Sequence, residues 1–163
     1  MRKLSLVTSV AVVVGAGYGA ARWGREPAAR KATAHDERLV KDRMWIDHLP
    51  QHDRDRINVF AALTQRPRQG PGPVGIFEKI GPWEGHFEAF RYESQGDEMR
   101  IMFPQSGDRE TLHVKAVVCN DRGFDYCLEV EGSTRGVKQY YSRKGWEVRD
   151  AHDIETLSQS LVK

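Results

Sequence analysis

From Trp83 onward, apolar and polar side chains alternate with a period of two, which is the pattern of strands that bury one face. The expected inward residues of the four clearest strands are Trp83, Phe87 and Ala89; Met99, Ile101 and Phe103; Leu112, Val114, Ala116 and Val118; and Phe124, Tyr126, Leu128 and Val130. Two shorter strands, 137–141 and 146–148, are predicted after them. We therefore expect a mainly β (α+β) fold, an antiparallel meander of about six strands that closes into a small barrel-like sheet or is capped by helices.

Turn residues between these strands predict how they pair. The loop Ser94-Gln95-Gly96 ends in glycine, where a left-handed residue is needed, and it would pair Phe87 with Phe103. The next loop would set Ile101 opposite Leu112. Further hairpins are predicted at Asp121-Arg122-Gly123 and at Arg143-Lys144-Gly145.

The chain before the strands carries helical signals. Asp36 can cap a helix whose apolar residues recur at helical spacing as far as Pro50. A second short helix is predicted from about Gln51, with Ile57, Phe60 and Leu63 on one face. Prolines and glycines then fill residues 66–75, a stretch that cannot hold a regular element. At the other end of the chain, residues 150–163 predict a short amphipathic helix with Ile154, Leu157 and Leu161 on one side.

The first residues predict an association with a membrane. An uncharged run from Leu4 to Ala21 would span about 27 Å as a helix, close to the thickness of the hydrocarbon core of a bilayer. Three interpretations stay open: a retained anchor, which we favour, a signal peptide cleaved after Ala21, and an organelle transit peptide. In an anchor, Ala11, Gly15 and Gly19 would form a smooth stripe that lets two membrane helices pack closely.

The orientation in the membrane rests on two opposing signals. Positive charges lie on both sides of the apolar run and are more numerous after it, which by the positive-inside rule would keep the body cytoplasmic. The two cysteines, eight residues apart, are more natural in an oxidising compartment. We favour an extracytoplasmic or periplasmic body, as in a bacterial envelope protein.

Composition is consistent with one modest domain, with 39% hydrophobic and 29% charged residues in 163. The net charge of +2 depends on the first 31 residues, which hold six bases and one acid. Without them, 19 Lys and Arg face 22 Asp and Glu, so the body lacks the basic excess that nucleic-acid binding needs. We therefore expect no nucleic-acid partner.

A disulfide between Cys119 and Cys127 is one of two open alternatives. Both cysteines lie on the polar parity of adjacent strands, which permits a bridge. The hairpin at Asp121-Arg122-Gly123 would pair Val117 with Cys127 and leave the sulfurs diagonal, a geometry in which the bridge is hard to close. A shift of register by two residues would pair them directly, and two free thiols are the alternative.

Candidate chemistry is sparse. His48, His52, Asp53 and Asp55 cluster in sequence, but Pro50 interrupts any helix that would place both histidines on one face, so we predict no metal site. The chain has no Gly-x-Ser-x-Gly motif, and the glutamates of the predicted strands fall on their outer faces. We predict no catalytic residues and no cofactor.

The segment Gly81-Pro82-Trp83-Glu84-Gly85 resembles the Gly-x-Trp opening of the first strand in calycin barrels such as lipocalins and nitrobindin-like proteins. The resemblance implies a barrel of eight or more strands that binds a small hydrophobic ligand or haem. Trp83 would then be the residue at the barrel floor.

The sequence thus predicts three parts: a signal-anchor or transmembrane helix at 1–24, a linker and short helical neck at 25–75, and a β-rich domain with a C-terminal helix at 76–163. We expect a membrane-tethered, non-enzymatic domain that binds another membrane or envelope protein as an accessory subunit and can self-associate through its anchor. The expected interaction surface consists of Phe90, Tyr92 and Tyr141, taken as exposed aromatics. The alternatives are a calycin-like carrier of a lipid or small ligand and, third, an enzyme.

Overall fold

The computed structural model describes residues 36–52, 54–65, 72–81 and 85–161. Their elements, in chain order, are α1 (Glu37–Val40), β1 (Trp45–Ile46), β2 (Ile57–Leu63), β3 (Val74–Ile80), β4 (His86–Gln95), β5 (Glu98–Met102), β6 (Arg109–Asp121), β7 (Phe124–Glu131), β8 (Gln139–Ser142) and α2 (Ala151–Leu161). The predicted segment 1–24 with Ala11, Gly15 and Gly19, the linker 25–34 and Trp83 lie outside the described residues. In the described ranges, no helix has both the length and the apolar character needed to span a bilayer.

The eight strands form one closed antiparallel barrel in which each strand pairs with its neighbours in the chain. Closure comes from β1 and β8, where Ile46 lies opposite Tyr141. The prediction of a mainly antiparallel β fold is confirmed, but the barrel has eight strands and not about six. The additional strands β1, β2 and β3 come from residues for which the sequence predicted helices, irregular chain or no element.

The helix predicted from Gln51 is wrong, because β2 occupies Ile57–Leu63. Six of its seven residues are buried, since Phe60 and Ala62 point into the barrel while Ile57, Val59, Ala61 and Leu63 pack outside it. A strand buried on both faces shows no alternation, so its apolar run cannot be distinguished from a buried helix by period.

The helix predicted from Asp36 to Pro50 is also mostly wrong. Asp36 does cap it, because its carboxylate accepts a hydrogen bond from the Arg38 backbone N–H at 3.0 Å. The helix nevertheless ends at Val40 after one turn. Val40 joins the barrel interior, and its carbonyl accepts a hydrogen bond from the Trp45 indole at 3.2 Å.

The inward face of β4 is opposite to the predicted one. Phe90 and Tyr92 point into the barrel, while Phe87 is exposed. The hairpin to β5 turns on two residues, Gly96 and Asp97, so that Tyr92 lies opposite Ile101 and the predicted pair of Phe87 with Phe103 does not form. A change of loop length by one residue exchanges the two faces of a strand.

The later hairpins follow the predictions in part. Leu112 and Val114 point inward as expected, but Leu112 pairs with Met99 and not with Ile101. Val118, predicted to be inward, is exposed. In β7, Leu128 and Val130 point inward as predicted, and Tyr126 packs partly against the interior. Phe124, also predicted to be inward, is buried in the outer cluster instead.

The hairpin predicted at Arg143-Lys144-Gly145 does not form, although the chain does turn there. Residues 146–148 pair with residues 42–44, where the Met44 N–H donates to the Trp146 carbonyl and the Val148 N–H to the Asp42 carbonyl, each at 3.0 Å. Strand β8 cannot accept them, because β7 and β1 already occupy its two edges.

Helix α2 confirms the predicted C-terminal amphipathic helix. Ile154 is buried, and Leu157 and Leu161 pack against the same outer cluster. This cluster also holds outward residues of β1 to β3. One half of the outer barrel surface is thus covered, whereas the outward side chains of β4 to β6 are half-exposed or exposed.

Candidate functional site

The interior of the barrel is filled with side chains. Its buried residues are Val40, Trp45, Phe60, Ala62, Phe77, Phe90, Tyr92, Met99, Ile101, Phe103, Leu112, Val114, Ala116, Leu128, Val130 and Tyr140. Six of the aromatic rings contact one another with centroid distances of 5.2 to 6.3 Å. An eight-stranded barrel is just wide enough to be filled in this way, so a ligand inside it would have to displace these rings.

The aromatics predicted to form an interaction surface are buried instead. Phe90, Tyr92 and Tyr141 are 0%, 4% and 8% exposed. The Tyr92 hydroxyl donates to the Leu63 carbonyl at 3.1 Å, and burial raises the pKa of this tyrosine. Tyr141 stacks on Phe124 outside the barrel, at a centroid distance of 5.1 Å. The prediction that these residues are exposed is therefore wrong. The inward and outward faces of β4 are the reverse of those predicted, and β8 is buried.

One end of the barrel carries an ion cluster that we call the arginine clamp, consisting of Arg135, Glu88, Asp108 and Glu110. Arg135 lies in the loop between β7 and β8, and its guanidinium sits 3.8 Å from the centroid of the Phe103 ring. Its Nε lies 2.9 Å from Glu88 and its Nη2 lies 2.7 Å from Asp108, while Nη1 bonds Glu110. The clamp ties β4 and β6 to the β7–β8 loop across this end.

Electrostatics hold the clamp in its charged form. Burial raises the pKa of Glu110, but hydrogen bonds from Thr134 and Ser133 and the charge of Arg135 leave it below the ordinary value. The hydrogen bond from Arg135 also lowers the pKa of Asp108. Carboxylates held ionised in this way are weak bases, so the clamp suits structural closure better than proton transfer.

The outer face of β4 to β6 carries an open groove of about 730 Å³, which we call the β4–β6 groove. Its lining residues are Gly72, Pro73, Arg91, Tyr92, Glu93, Arg100, Ile101, Met102, Arg109, Glu110 and Thr111. Two rows of outward side chains cross the strands: Arg91, Met102 and Arg109 stand opposite one another in the first, and Glu93, Arg100 and Thr111 in the second.

Positive charge predominates in the β4–β6 groove. Three arginines line it, and Glu93 is the outward carboxylate among its lining residues. Arg100 bonds Glu98 at 2.8 Å, but its side chain remains 69% exposed. Among the described residues, Arg91 and Arg109 form no ion pair. The inner Glu110 carboxylate is already bound by Arg135, Ser133 and Thr134.

The sequence prediction missed this groove because it placed Phe87 and Ala89 on the inward face, and Arg91 falls on the same side of the strand as these two residues. The alternation of Phe90 and Tyr92 with Arg91 and Glu93 was the signal for the correct face. Arg91, Arg100 and Arg109 are evenly spaced in the sequence, but only the strand register shows that they lie on the same surface.

Cys119 and Cys127 are joined by a disulfide in the structure. Val117 pairs with Cys127 as predicted, which would leave Cys119 diagonal to its partner. The register then shifts between Val118 and Asp121, and Asn120 adopts a left-handed conformation. This bulge leaves the Cα atoms of the two cysteines 5.7 Å apart, within the range that a bridge requires.

The histidine and aspartate residues near Pro50 form a local hydrogen-bonded cluster. His48 places its Nδ1 2.9 Å from Asp47 and its Nε2 3.2 Å from Asp55. A backbone hydrogen bond from Gln51 and then a side-chain bond from His48 lower the pKa of Asp55 to about 2. His52 is exposed, and Asp53 lies outside the described residues. Within the described part of the chain, no group of three or more potential metal ligands comes together.

The segment that carries the calycin resemblance, 81–85, lies between β3 and β4 and not at the first strand, which contains Trp45. Only Gly81 and Gly85 of that segment are described. No family model, no curated protein and no solved structure matches the chain.

Proposed function

We propose that this protein is a membrane-tethered, non-enzymatic domain that binds another protein through the β4–β6 groove. The observation that carries the proposal is the contrast between the two sides of the sheet. The inner side is filled with buried side chains, whereas the outer side of β4 to β6 presents a large, charged and exposed groove.

The arginine clamp supports a binding function over an enzymatic one. Its three carboxylates are bound to Arg135, and the pKa of Glu110 and that of Asp108 are lowered, so these groups are poor proton donors and weak bases near neutral pH. The clamp also packs on Phe103, a residue of the filled interior. These features suit a rigid scaffold that holds its outer surface in one shape.

The membrane tether in the proposal rests on the sequence. The run from Leu4 to Ala21 has the length and composition of a bilayer-spanning helix. In the sequence, a short polar linker at 25–34 separates this run from the barrel domain. Retention of the full-length chain in membranes after an alkaline wash tests this part, and release into the supernatant would contradict it.

Site-directed photo-crosslinking tests the binding part. A photoreactive residue replaces Thr111 in the groove or, as a control, His152, which is exposed on α2. In membranes of the cell that makes the protein, we expect a discrete protein adduct from position 111 and none from position 152. Adducts from neither position, or equal adducts from both, would contradict the proposal.

A calycin-like carrier is the second candidate, and the closed eight-stranded barrel favours it. The filled interior weighs against it, because a ligand would have to displace buried aromatic rings. Solvent extraction of protein purified from its own cell, followed by mass spectrometry, tests this alternative. A stoichiometric hydrophobic molecule would favour the carrier over the binding domain.

A further inference from the structure

We infer that the partner of the β4–β6 groove is an acidic polypeptide segment in extended conformation, with apolar side chains between its carboxylates. This inference rests on the proposed function and specifies the chemistry of the same site. Three observations carry it: the charge of the groove, the apolar residue at its centre and the spacing of its rows.

The charge of the groove calls for an anionic partner. Arg91 and Arg109 are free of ion pairs with the described residues, and the Arg100 guanidinium holds one exposed carboxylate by a single pair. Guanidinium groups have five N–H donors, of which a single carboxylate can use two. A partner with several carboxylates would therefore satisfy donors that are now left to water.

The centre of the groove is apolar. Met102 stands between Arg91 and Arg109 in the first row and is half-buried. Its flexible thioether side chain adapts to the shape of an apolar partner residue. A ligand with charge alone would leave this side chain unused, whereas an extended peptide that carries acidic and apolar side chains in turn on one face would contact it.

The spacing of the rows matches an extended chain. Along each strand, the two rows are two residues apart, a distance of roughly 7 Å. On β5, for example, Met102 belongs to the first row and Arg100 to the second. Alternate side chains of an extended peptide have the same repeat. A segment that runs along β5 would thus place successive side chains of one face on successive rows. A single phosphate group matches one row at most, so the geometry favours a polypeptide over a lipid headgroup.

Fluorescence anisotropy with full-length protein in mild detergent tests this inference. The probe is a short fluorescein-labelled peptide with the repeat Glu-Ser-Leu-Ser, which in extended conformation places Glu and Leu in turn on one face. The same peptide with Gln or Lys in place of Glu serves as comparison. We expect the Glu peptide to bind about tenfold more tightly than the Gln peptide, with an affinity that falls as salt rises. Equal binding of the Glu and Gln peptides would overturn the inference.

Two charge-matched variants locate the site. The double variant R91Q/R109Q is expected to lose about tenfold in affinity, since two arginine–carboxylate pairs are removed. The control R38Q/R56Q removes the same charge from two exposed arginines outside the groove and should bind as wild type. An equal loss in both variants would show that net charge and not the groove attracts the peptide, and would overturn the inference.

Competition with glycerol phosphate separates the peptide from an anionic lipid headgroup. Displacement of the Glu peptide by glycerol phosphate, at concentrations where sodium chloride of equal ionic strength has no effect, would assign the groove to phosphate and overturn the inference. If photo-crosslinking at position 111 gives an adduct while the Glu peptide does not bind, the proposed function stands and only the acidic partner is wrong. If both fail, the groove is not a binding site.

Discussion

Replacement of Arg135 by Met is expected to destabilise the barrel strongly, because it leaves the carboxylates of the arginine clamp without their counter-charge. The side chains of Arg135, Glu88 and Glu110 are 18%, 19% and 10% exposed, so their ion pairs are intermediate between fully buried and fully exposed pairs. Loss of one partner costs about 3 to 5 kcal/mol for a buried pair and below about 1 kcal/mol for an exposed pair. We therefore expect a loss of about 2 to 3 kcal/mol, part of it from the cation–π contact with Phe103.

Urea denaturation measures this effect without the screening that guanidinium would add. The matched control is R100M. Within the described part of the chain, Arg100 pairs only with Glu98, on the exposed surface, so its loss should cost below about 1 kcal/mol. The triple variant R135M/E88Q/E110Q should recover part of the lost stability, since two of the three unpaired carboxylates are neutralised. If R135M costs no more than R100M, the clamp does not hold the end of the barrel and this reasoning fails.

Acidification provides an independent check on the clamp. The pKa of Glu110 in the folded protein lies below its ordinary value of 4.5, so its contribution is present above that pH and is lost as the pH falls through the folded pKa. R135M removes part of this shift. Its stability should therefore fall less steeply with acid than that of the wild type, and parallel curves would contradict the assignment.

Three further predictions follow from other parts of the barrel. G75A should cost about 1 to 3 kcal/mol by overpacking, since a Cβ on Gly75 would lie 2.3 Å from the Phe90 ring. The control is G85A, whose Cβ would lie in open space. Equal urea midpoints for the two variants would contradict the close packing at Gly75. C119A/C127A should cost about 2 to 3 kcal/mol through loss of the disulfide, and thiol titration of the denatured, unreduced wild type should find no thiol. E155Q should stabilise the protein by a few tenths of a kcal/mol at pH 7 but not at pH 4. Burial and then the charge of Glu155 raise the pKa of Glu78, so the folded state loses stability as rising pH ionises Glu78, and E155Q removes part of this repulsion. A gain that is the same at both pH values would exclude the repulsion.

The sequence predicts best those elements whose two faces differ. Strands β5 and β6 bury alternate apolar residues and expose charged ones, so their faces are predicted correctly from Met99 to Ala116. Helix α2 presents one apolar side at helical spacing and is predicted for the same reason. In both cases, the local period reports directly which side meets the core.

Prediction fails where tertiary contacts bury both faces or where a turn sets the parity. Strand β2 lies between the aromatic interior and the outer cluster under α2, so its sequence carries no period of two. In β4, the turn at Gly96 has two residues and not the predicted three, which exchanges the inward and outward faces of the strand. The outward position of Arg91 was therefore not predicted. The arginine clamp joins residues that are 25 to 47 positions apart, a proximity that follows only from barrel closure.

If a partner covers the β4–β6 groove where the protein works, the arginines of the groove are shielded there, and arginine-specific labelling measures this shielding. Phenylglyoxal is applied to membranes that contain the full-length protein and, separately, to the same protein after purification in detergent, and modified sites are quantified by mass spectrometry. We expect Arg91, Arg100 and Arg109 to be protected in membranes and reactive after purification, while the exposed Arg38 reacts equally in both samples. Equal reactivity of the groove arginines in the two samples would contradict it.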